Sequence, residues 1–275
     1  MTSILDKIVE RKRLEVAAAR DIVGLAELES RILDQEPARD FFGDLADDQA
    51  SDRTRVIAEI KRKSPSAGEI WKQPGPFDPA VIARSYHAAG ATAISCLTDS
   101  VDFGGDLDFI MAIREVVPLP VLRKDFVVDE YQIWEARAAG ADAVLLIAEC
   151  INPGMILELR GLAHRLGMSV LVEVHSEANL RAVLEVMDFP ADGRTLLGIN
   201  NRDLTRMETD LGNTARLIES VGDAIDSPRV LVGESGIQTP ADLATLRESE
   251  VRIVLVGEHL MSKPDPGAAL RELLA

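Results

Sequence analysis

PVLRKDFVVDEYQIWEARAAGADAVLLIA, residues 120–148, holds one complete copy of the unit that decides the fold. Pro120–Lys124 is a short apolar run that ends on two cations. Residues 130–139 read as a helix, and Asp142–Ala148 is a second apolar run. Both runs lack strict alternation, the pattern of parallel strands covered by helices on their outer face. Outward from this stretch the unit recurs. Further strand candidates are VIAEI (56–60), ATAISCL (91–97), SVLVEV (169–174), TLLGIN (195–200), RVLVG (229–233) and VRIVLVG (251–257). Between them lie helix candidates at 79–89, 153–166, 177–187 and 240–247, with start signals at Asp78-Pro79, Asn152-Pro153, Ser176 and Thr239-Pro240. Eight strand-then-helix units in roughly 220 residues predict a single (β/α)8 TIM barrel. An open doubly wound sheet would announce itself by a glycine-rich turn after its first strand. Here the first run passes instead into EIKRKSPSAG (59–68), and the chain has no GxGxxG or P-loop.

The barrel is expected over 55–275. Residues 1–54 are read as an N-terminal helical extension packed on it. In that extension Ile4, Leu5, Ile8 and Val9 repeat at helical spacing over 3–20, and a mixed stretch with Pro37 and the acidic patch Asp44–Asp52 follows.

Composition narrows the function classes. Of 275 residues, 47% are hydrophobic, enough for a large core. The 30 Lys and Arg face 46 Asp and Glu, a net charge of −16, whereas a nucleic-acid binder needs the opposite balance to neutralise phosphates. Cys96 and Cys150 form no C-x-x-C pair and sit in apolar surroundings, as reduced thiols would. The N-terminus has no apolar signal core, and the longest wholly apolar run, Ala143–Ala148, is too short to cross a bilayer. A cytoplasmic protein is expected, as a monomer, with a weak dimer the alternative.

Barrel active sites form at the carboxyl ends of the strands, and polar residues gather there. Residues two apart share a strand face, so Glu59, Lys61 and Lys63 align at the end of the first run. Lys124 aligns with Leu122, Glu173 with Leu171, and Asn200 with Arg202. The seventh run ends Gly233-Glu234-Ser235-Gly236 and the eighth Val256-Gly257-Glu258, while the second and fourth end on apolar residues. Each residue also has a plainer reading. A lone strand-end lysine is usually solvated surface. Glu173 could be a paired core carboxylate, and Asn200 could close a turn with Asn201. Their coincidence on one rim favours a site. An acidic protein that binds an anion needs a locally basic pocket, and Lys61-Arg62-Lys63 and Arg123-Lys124 sit at predicted strand ends. The expected ligand is a small phosphorylated anion, with glycines at 236 and 257 letting backbone N–H groups approach the phosphate. No H-x-H, H-E-x-x-H or G-x-S-x-G spacing occurs. What remains is acid–base chemistry by Lys and Glu, without metal or cofactor.

VIAEIKRKSPSAGEI, PVLRKDFVVDEYQIWEARAAGADAVLLIA, LVEVH, GINNRDL and VGESGI closely resemble the indole-3-glycerol-phosphate synthase family, in order and over nearly the whole chain. The resemblance implies a carboxy-lyase of tryptophan biosynthesis. Such an enzyme closes the ring of 1-(2-carboxyphenylamino)-1-deoxyribulose 5-phosphate with loss of carbon dioxide and water. It implies Lys124 as the general acid, its pKa expected to be lowered by neighbouring ammoniums and burial. Lys61 with Glu59 or Glu173 would serve the dehydration, and the sequence does not divide those roles. Asn200 and Arg202 match positions that orient hydroxyl and carboxyl groups. Lys63, Ser64, Glu234, Ser235, Gly236, Gly257 and Glu258 match positions lining the substrate site, most of them around the phosphate. Phe103, Leu145 and Ile147 match the apolar slot for the anthranilate ring. Two positions depart from the family: Asp106, where Ser is frequent, and His259, where small residues are common. The rivals are phosphoribosylanthranilate isomerase, which would need a Cys base where this chain has Lys61, a Schiff-base aldolase acting through Lys124, and a catalytically silent binding barrel. The complete set of Glu59, Lys61, Lys124 and Glu173 argues against the silent barrel.

Overall fold

The computed structural model describes residues 4–46, 53–189, 193–202, 209–225 and 227–275. All eight apolar runs are strands. They are β1 (Arg55–Ile60), β4 (Ala93–Leu97), β5 (Val121–Lys124), β6 (Ala143–Ile147), β7 (Ser169–Val174), β8 (Thr195–Asn200), β9 (Leu231–Glu234) and β10 (Ile253–Val256). They close into one parallel barrel in the order β1-β10-β9-β8-β7-β6-β5-β4. A two-residue hairpin, β2 (Lys63–Ser64) with β3 (Gly68–Glu69), follows β1. Strand side chains are buried on both faces, as the lack of alternation required: Ile57, Leu122, Val144, Leu171 and Val254 are all fully covered.

Three helices precede the barrel, α1 (Ile4–Ile22), α2 (Leu25–Leu33) and α3 (Phe41–Ala46). Outside it lie α4 (Pro79–Ala88), α5 (Ser100–Phe103), α6 (Asp108–Arg114), α7 (Glu130–Ala138), α8 (Pro153–Arg165), α9 (Glu177–Leu184), α10 (Gly212–Val221) and α11 (Pro240–Glu248). The chain finishes with α12 (Glu258–Met261) and α13 (Pro266–Leu274). The start signals work as read. Asp78 accepts from the N–H groups of Ala80 and Val81, Asn152 from Met155 and Ser176 from Asn179, while Thr239 and Asp242 form a reciprocal capping box. Each cap stabilises its helix by about 1 kcal/mol.

The N-terminal segment is tied down by buried charge. Lys12 is almost fully covered, and its ammonium stands 2.9 Å from Asp99, 3.0 Å from Asp125 and 2.9 Å from Glu15. Arg11 joins the cluster through Asp99 at 2.9 Å. These ion pairs lay α1 over the barrel mouth. Further along, Tyr131 of α7 packs on Val16 and Leu28 and donates its hydroxyl to the Val23 carbonyl at 2.9 Å. Part of the acidic patch (47–52) and the first residue of the expected helix lie outside the described residues.

No helix among the described residues is long and apolar enough to cross a membrane. Both cysteines are free thiols, and burial pushes their pKa up, which leaves little reactive thiolate.

Candidate active site

The carboxyl ends of the barrel strands open into a cavity of about 670 Å³. Barrel register sets its walls: Leu97 lies beside Lys124, Ile147 beside Glu173, and Asn200 beside Glu234. Lys124 is the centre of the polar wall. Its Nζ stands 2.6 Å from Glu173 Oε2 and 2.7 Å from Glu234 Oε2. The other Glu173 oxygen accepts from Asn200 Nδ2 at 3.0 Å, and Asn200 Oδ1 accepts the Arg202 N–H at 3.0 Å. Lys61 pairs with Glu59 at 2.7 Å, and Arg202 with Glu258 at 2.9 Å. Phe103, Leu145, Ile147 and Leu97 supply an apolar side, with Phe103 tilted against Phe126 at a centroid distance of 6.0 Å. Ile4, Leu5 and Ile8 of α1 close over the opening.

Of the catalytic and substrate-site residues named from the sequence, all but Lys63 line this cavity. The first barrel strand stops at Ile60, and Lys63 belongs to the β2–β3 hairpin, paired across it with Glu69. Its stem runs beside Gly104 in the loop after β4. The expectation that Glu59, Lys61 and Lys63 continue one strand face fails there, because the chain turns before reaching Lys63.

The expected local excess of positive charge is also absent. Arg123 faces away from the cavity. It is buried beneath α7, donating to the Gln132 carbonyl at 2.9 Å and pairing with Glu135 at 2.7 Å and Asp125 at 3.2 Å. Arg62 pairs with Glu69 on the surface at 3.0 Å. Within the cavity Lys61, Lys124 and Arg202 each stand against a carboxylate.

This arrangement reverses the predicted shift of Lys124. Burial alone would lower its pKa, but Glu173, Glu234 and Glu59 outweigh burial and raise it. Its neighbours are carboxylates, not ammoniums, so Lys124 is a full ammonium at neutral pH. Burial would raise Glu173, yet Lys124, His175 and the hydrogen bonds from Lys124 and Asn200 hold it at about 2. Glu234 goes the other way. Burial and the nearby Glu173 push it up to about 8, with Lys124 only partly offsetting them. With Lys124 shared between two buried carboxylates, the acid form is favoured at Glu234 rather than at Glu173.

Beyond β9, Ser235 (φ 66°) and Gly236 (φ 81°) both adopt left-handed backbone. For Ser235 that costs about 1–2 kcal/mol. The turn aims its backbone at the cavity, held by the Asn201 amide on the Ser235 carbonyl at 3.3 Å. Gly257 serves a purpose the sequence did not suggest: a Cβ there would collide with the Glu59 carboxylate. Gly198 likewise leaves room for Glu234.

Sequence reasoning passed over two residues. His175, immediately after β7, lines the cavity and bonds to Glu149 through Nδ1 at 2.9 Å. Ser66, in the hairpin turn, receives the second arm of Arg202. The signal for His175 was its place two residues beyond Glu173, just past the end of β7. Among the described residues no group of three or more His, Cys, Asp or Glu is arranged to hold a metal ion.

The sequence model of the family described as indole-3-glycerol phosphate synthase matches residues 5–273. A protein of that name from Rhodopirellula baltica is 47% identical over 273 residues, covering 99% of both chains. Its namesake from Rhodospirillum rubrum is 45% identical over 274 residues and covers 100% of both. That from Azoarcus sp. is 47% identical over 274 residues and 99% of both. Among solved structures, a 3-hexulose-6-phosphate synthase superposes with a TM-score of 0.57 at 15% identity, over 80% of this chain and 97% of the other. That likeness concerns the barrel fold alone.

Proposed function

The chain belongs to the indole-3-glycerol phosphate synthase family, and from that premise we propose that its cavity converts 1-(2-carboxyphenylamino)-1-deoxyribulose 5-phosphate to indole-3-glycerol phosphate, carbon dioxide and water. The observation that carries the reading is Lys124, an ammonium held 2.6 Å from Glu173 and 2.7 Å from Glu234 at the cavity wall. Ring closure turns a ketone into an alcohol, so its oxygen must gain a proton as the new carbon–carbon bond forms. Lys124 gives that proton. Its carboxylate neighbours keep it charged in the resting site, and they also fix the direction of its N–H bonds.

Loss of carbon dioxide returns the bonding electrons to the ring system. Dehydration then requires a proton for the departing hydroxyl and a base for the ring proton. Lys61, carried by Glu59, suits the first task. Glu173 suits the second, being ionised and held by Asn200. Arg202 offers the bidentate grip that a carboxylate takes. Phe103, Leu145 and Ile147 form the slot for the aromatic ring. Ser64, Ser235, Gly236, Gly257 and Glu258 surround the phosphate, which the last two receive through backbone N–H groups, and Lys63 adds charge from the adjoining hairpin. Glu234 belongs to the substrate wall as the neutral partner of the Lys124 cluster.

No cofactor enters this scheme, since every step is a proton transfer, a carbon–carbon bond change or the loss of the protonated hydroxyl as water, driven by the substrate's own electrons. The proposal extends to a monomer acting in the cytoplasm, with residues 1–54 as an extension on the 55–275 barrel, because all eight barrel strands of one chain contribute to the cavity wall. Incubation with the anilino-deoxyribulose phosphate tests it. Indole fluorescence should grow at a rate proportional to protein concentration, and a folded protein that leaves the substrate unchanged would end the proposal.

A further inference from the structure

His175 stands where the scheme above has no use for a histidine. The ring is fixed from one side by Glu149, at the end of β6. Glu149 Oε2 lies 2.9 Å from Nδ1, and Glu149 Oε1 accepts the His175 backbone N–H at 2.9 Å and the Asn179 amide at 2.8 Å. From the other side, Nε2 faces Glu173 Oε1 at 3.3 Å. The ring is buried, with its side chain 8% exposed, and Nε2 has no hydrogen-bond partner among the described residues.

Both groups facing the ring are carboxylates, which only accept hydrogen bonds when ionised. A neutral imidazole carries one N–H. It could satisfy Glu149 or Glu173, and its remaining lone pair would then point at an anionic oxygen. The doubly protonated ring donates to Glu149 and presents its second, positively charged N–H to Glu173 as an ion pair at 3.3 Å. In the wider surroundings Lys124 of β5 opposes the charge from the far side of Glu173, and Glu234 of β9 favours its acid form. On α9, Glu177 and Arg181 pair with each other at the surface, and α10 presents only the uncharged Asn213, whose amide meets the His175 carbonyl. Burial would lower the histidine pKa, but the Glu149 hydrogen bond and the charges of Glu173 and Glu149 raise it. Glu149 also borders a separate open hollow of about 340 Å³ against α9, which gives the array a route to solvent that avoids the main cavity.

Resting on the reading of Glu173 as the dehydration base, we propose that His175, an imidazolium braced by Glu149, is the positioning residue that orients the Glu173 carboxylate for catalysis. One Glu173 oxygen is then fixed by Lys124, the other by Asn200 and His175. Loss of the imidazolium proton removes one of the two cations that hold the carboxylate. Misplacement of a reacting group by about 1 Å costs up to roughly 100-fold in rate.

The test is the pH dependence of kcat and KM in the wild type, His175→Gln and Glu149→Gln, with melting temperatures to confirm folding. Wild-type kcat should fall as pH rises through a histidine pKa above the ordinary value. His175→Gln should lose roughly 10–100-fold in kcat, keep KM within a few-fold and show no such limb. Glu149→Gln should retain the limb but move it to lower pH, because the bracing carboxylate is gone. An identical limb in all three proteins assigns the titration to another group, Glu234 included, and overturns the proposal, as does near-normal kcat in a folded His175→Gln. A wild type without turnover sinks the functional reading and this inference with it, whereas a wild type that turns over while both variants match it sinks the inference alone.

Discussion

Replacing Glu234 by Gln should flatten the alkaline loss of stability, and the structure supplies the magnitude. Glu234 is 1% exposed, shares Lys124 with Glu173, and titrates at about 8 in the folded chain. An unfolded glutamate titrates near 4.3. Because the folded value lies above the unfolded one, the contribution is intact below the unfolded pKa and is lost as pH climbs through the folded one. Between pH 7 and pH 9 the unfolded chain stays ionised at this position, while the folded chain must release most of one proton against a pKa of about 8. That release costs about 1.4 kcal/mol over the interval, or roughly 3–5 °C in melting temperature for a domain of this size. Gln mimics the protonated acid in shape and in its ability to donate toward Glu173, and it cannot ionise. The variant should therefore be more stable than the wild type already at pH 7, and its advantage should grow by that amount between pH 7 and pH 9. Thermal melts at both pH values need no substrate, so the outcome is independent of the functional reading. Equal pH slopes in the two proteins would show that Glu234 is ionised at neutral pH and that the proton balance of the cluster lies elsewhere.

Lys124→Ala should lower kcat by about 10²–10⁴-fold while substrate still binds, since it removes the acid at ring closure. Steady-state turnover within a few-fold of wild type would refute that role. Gly257→Ala should displace the Glu59 carboxylate from Lys61, cutting kcat and destabilising the fold by about 1–3 kcal/mol through overpacking. Wild-type turnover with an unchanged melt would mean that Glu59 has room the structure does not provide. Exhaustive EDTA treatment should leave turnover intact, and a loss restored by added divalent metal would overturn the cofactor-free scheme.

The barrel was legible because its strands are covered on both faces. A strand such as SVLVEV cannot alternate when helices lie outside it and core side chains inside, so its apolar run is visible without any knowledge of neighbours. The helix starts were legible for a local reason too: Asp78, Asn152, Ser176 and Thr239 act on N–H groups within three residues of themselves. The place of α1 was not. Its apolar stripe says that one face is buried, but not against what. Lys12, in a run of charges that reads as solvated surface, is covered because Asp99 and Asp125 arrive from distant loops. Lys63 misled for the opposite reason. Its two-residue spacing from Lys61 would share a face only if the strand continued, and a hairpin intervenes.

The site residues themselves were legible as unusual polar groups at strand ends; the sign of their interactions needed the third dimension. Adjacent cations such as Arg123 and Lys124 look like one basic cluster, yet successive strand residues point to opposite faces, so one is buried under α7 and the other enters the cavity. Barrel geometry carries a second rule that makes the sign recoverable. Inward side chains of one layer come from alternate strands, and alternate strands here are β1, β5, β7 and β9. Their inward polar ends are Glu59, Lys124, Glu173 and Glu234, three carboxylates around one ammonium. With Glu59 taken up by Lys61, two carboxylates remain on one ammonium, which holds the lysine protonated and raises one of the carboxyls, as the raised pKa values of Lys124 and Glu234 express. The acid that the chemistry needs is thus charged because of its layer partners, and a carboxylate replaced in β7 or β9 should change its protonation more than any lysine altered on the rim.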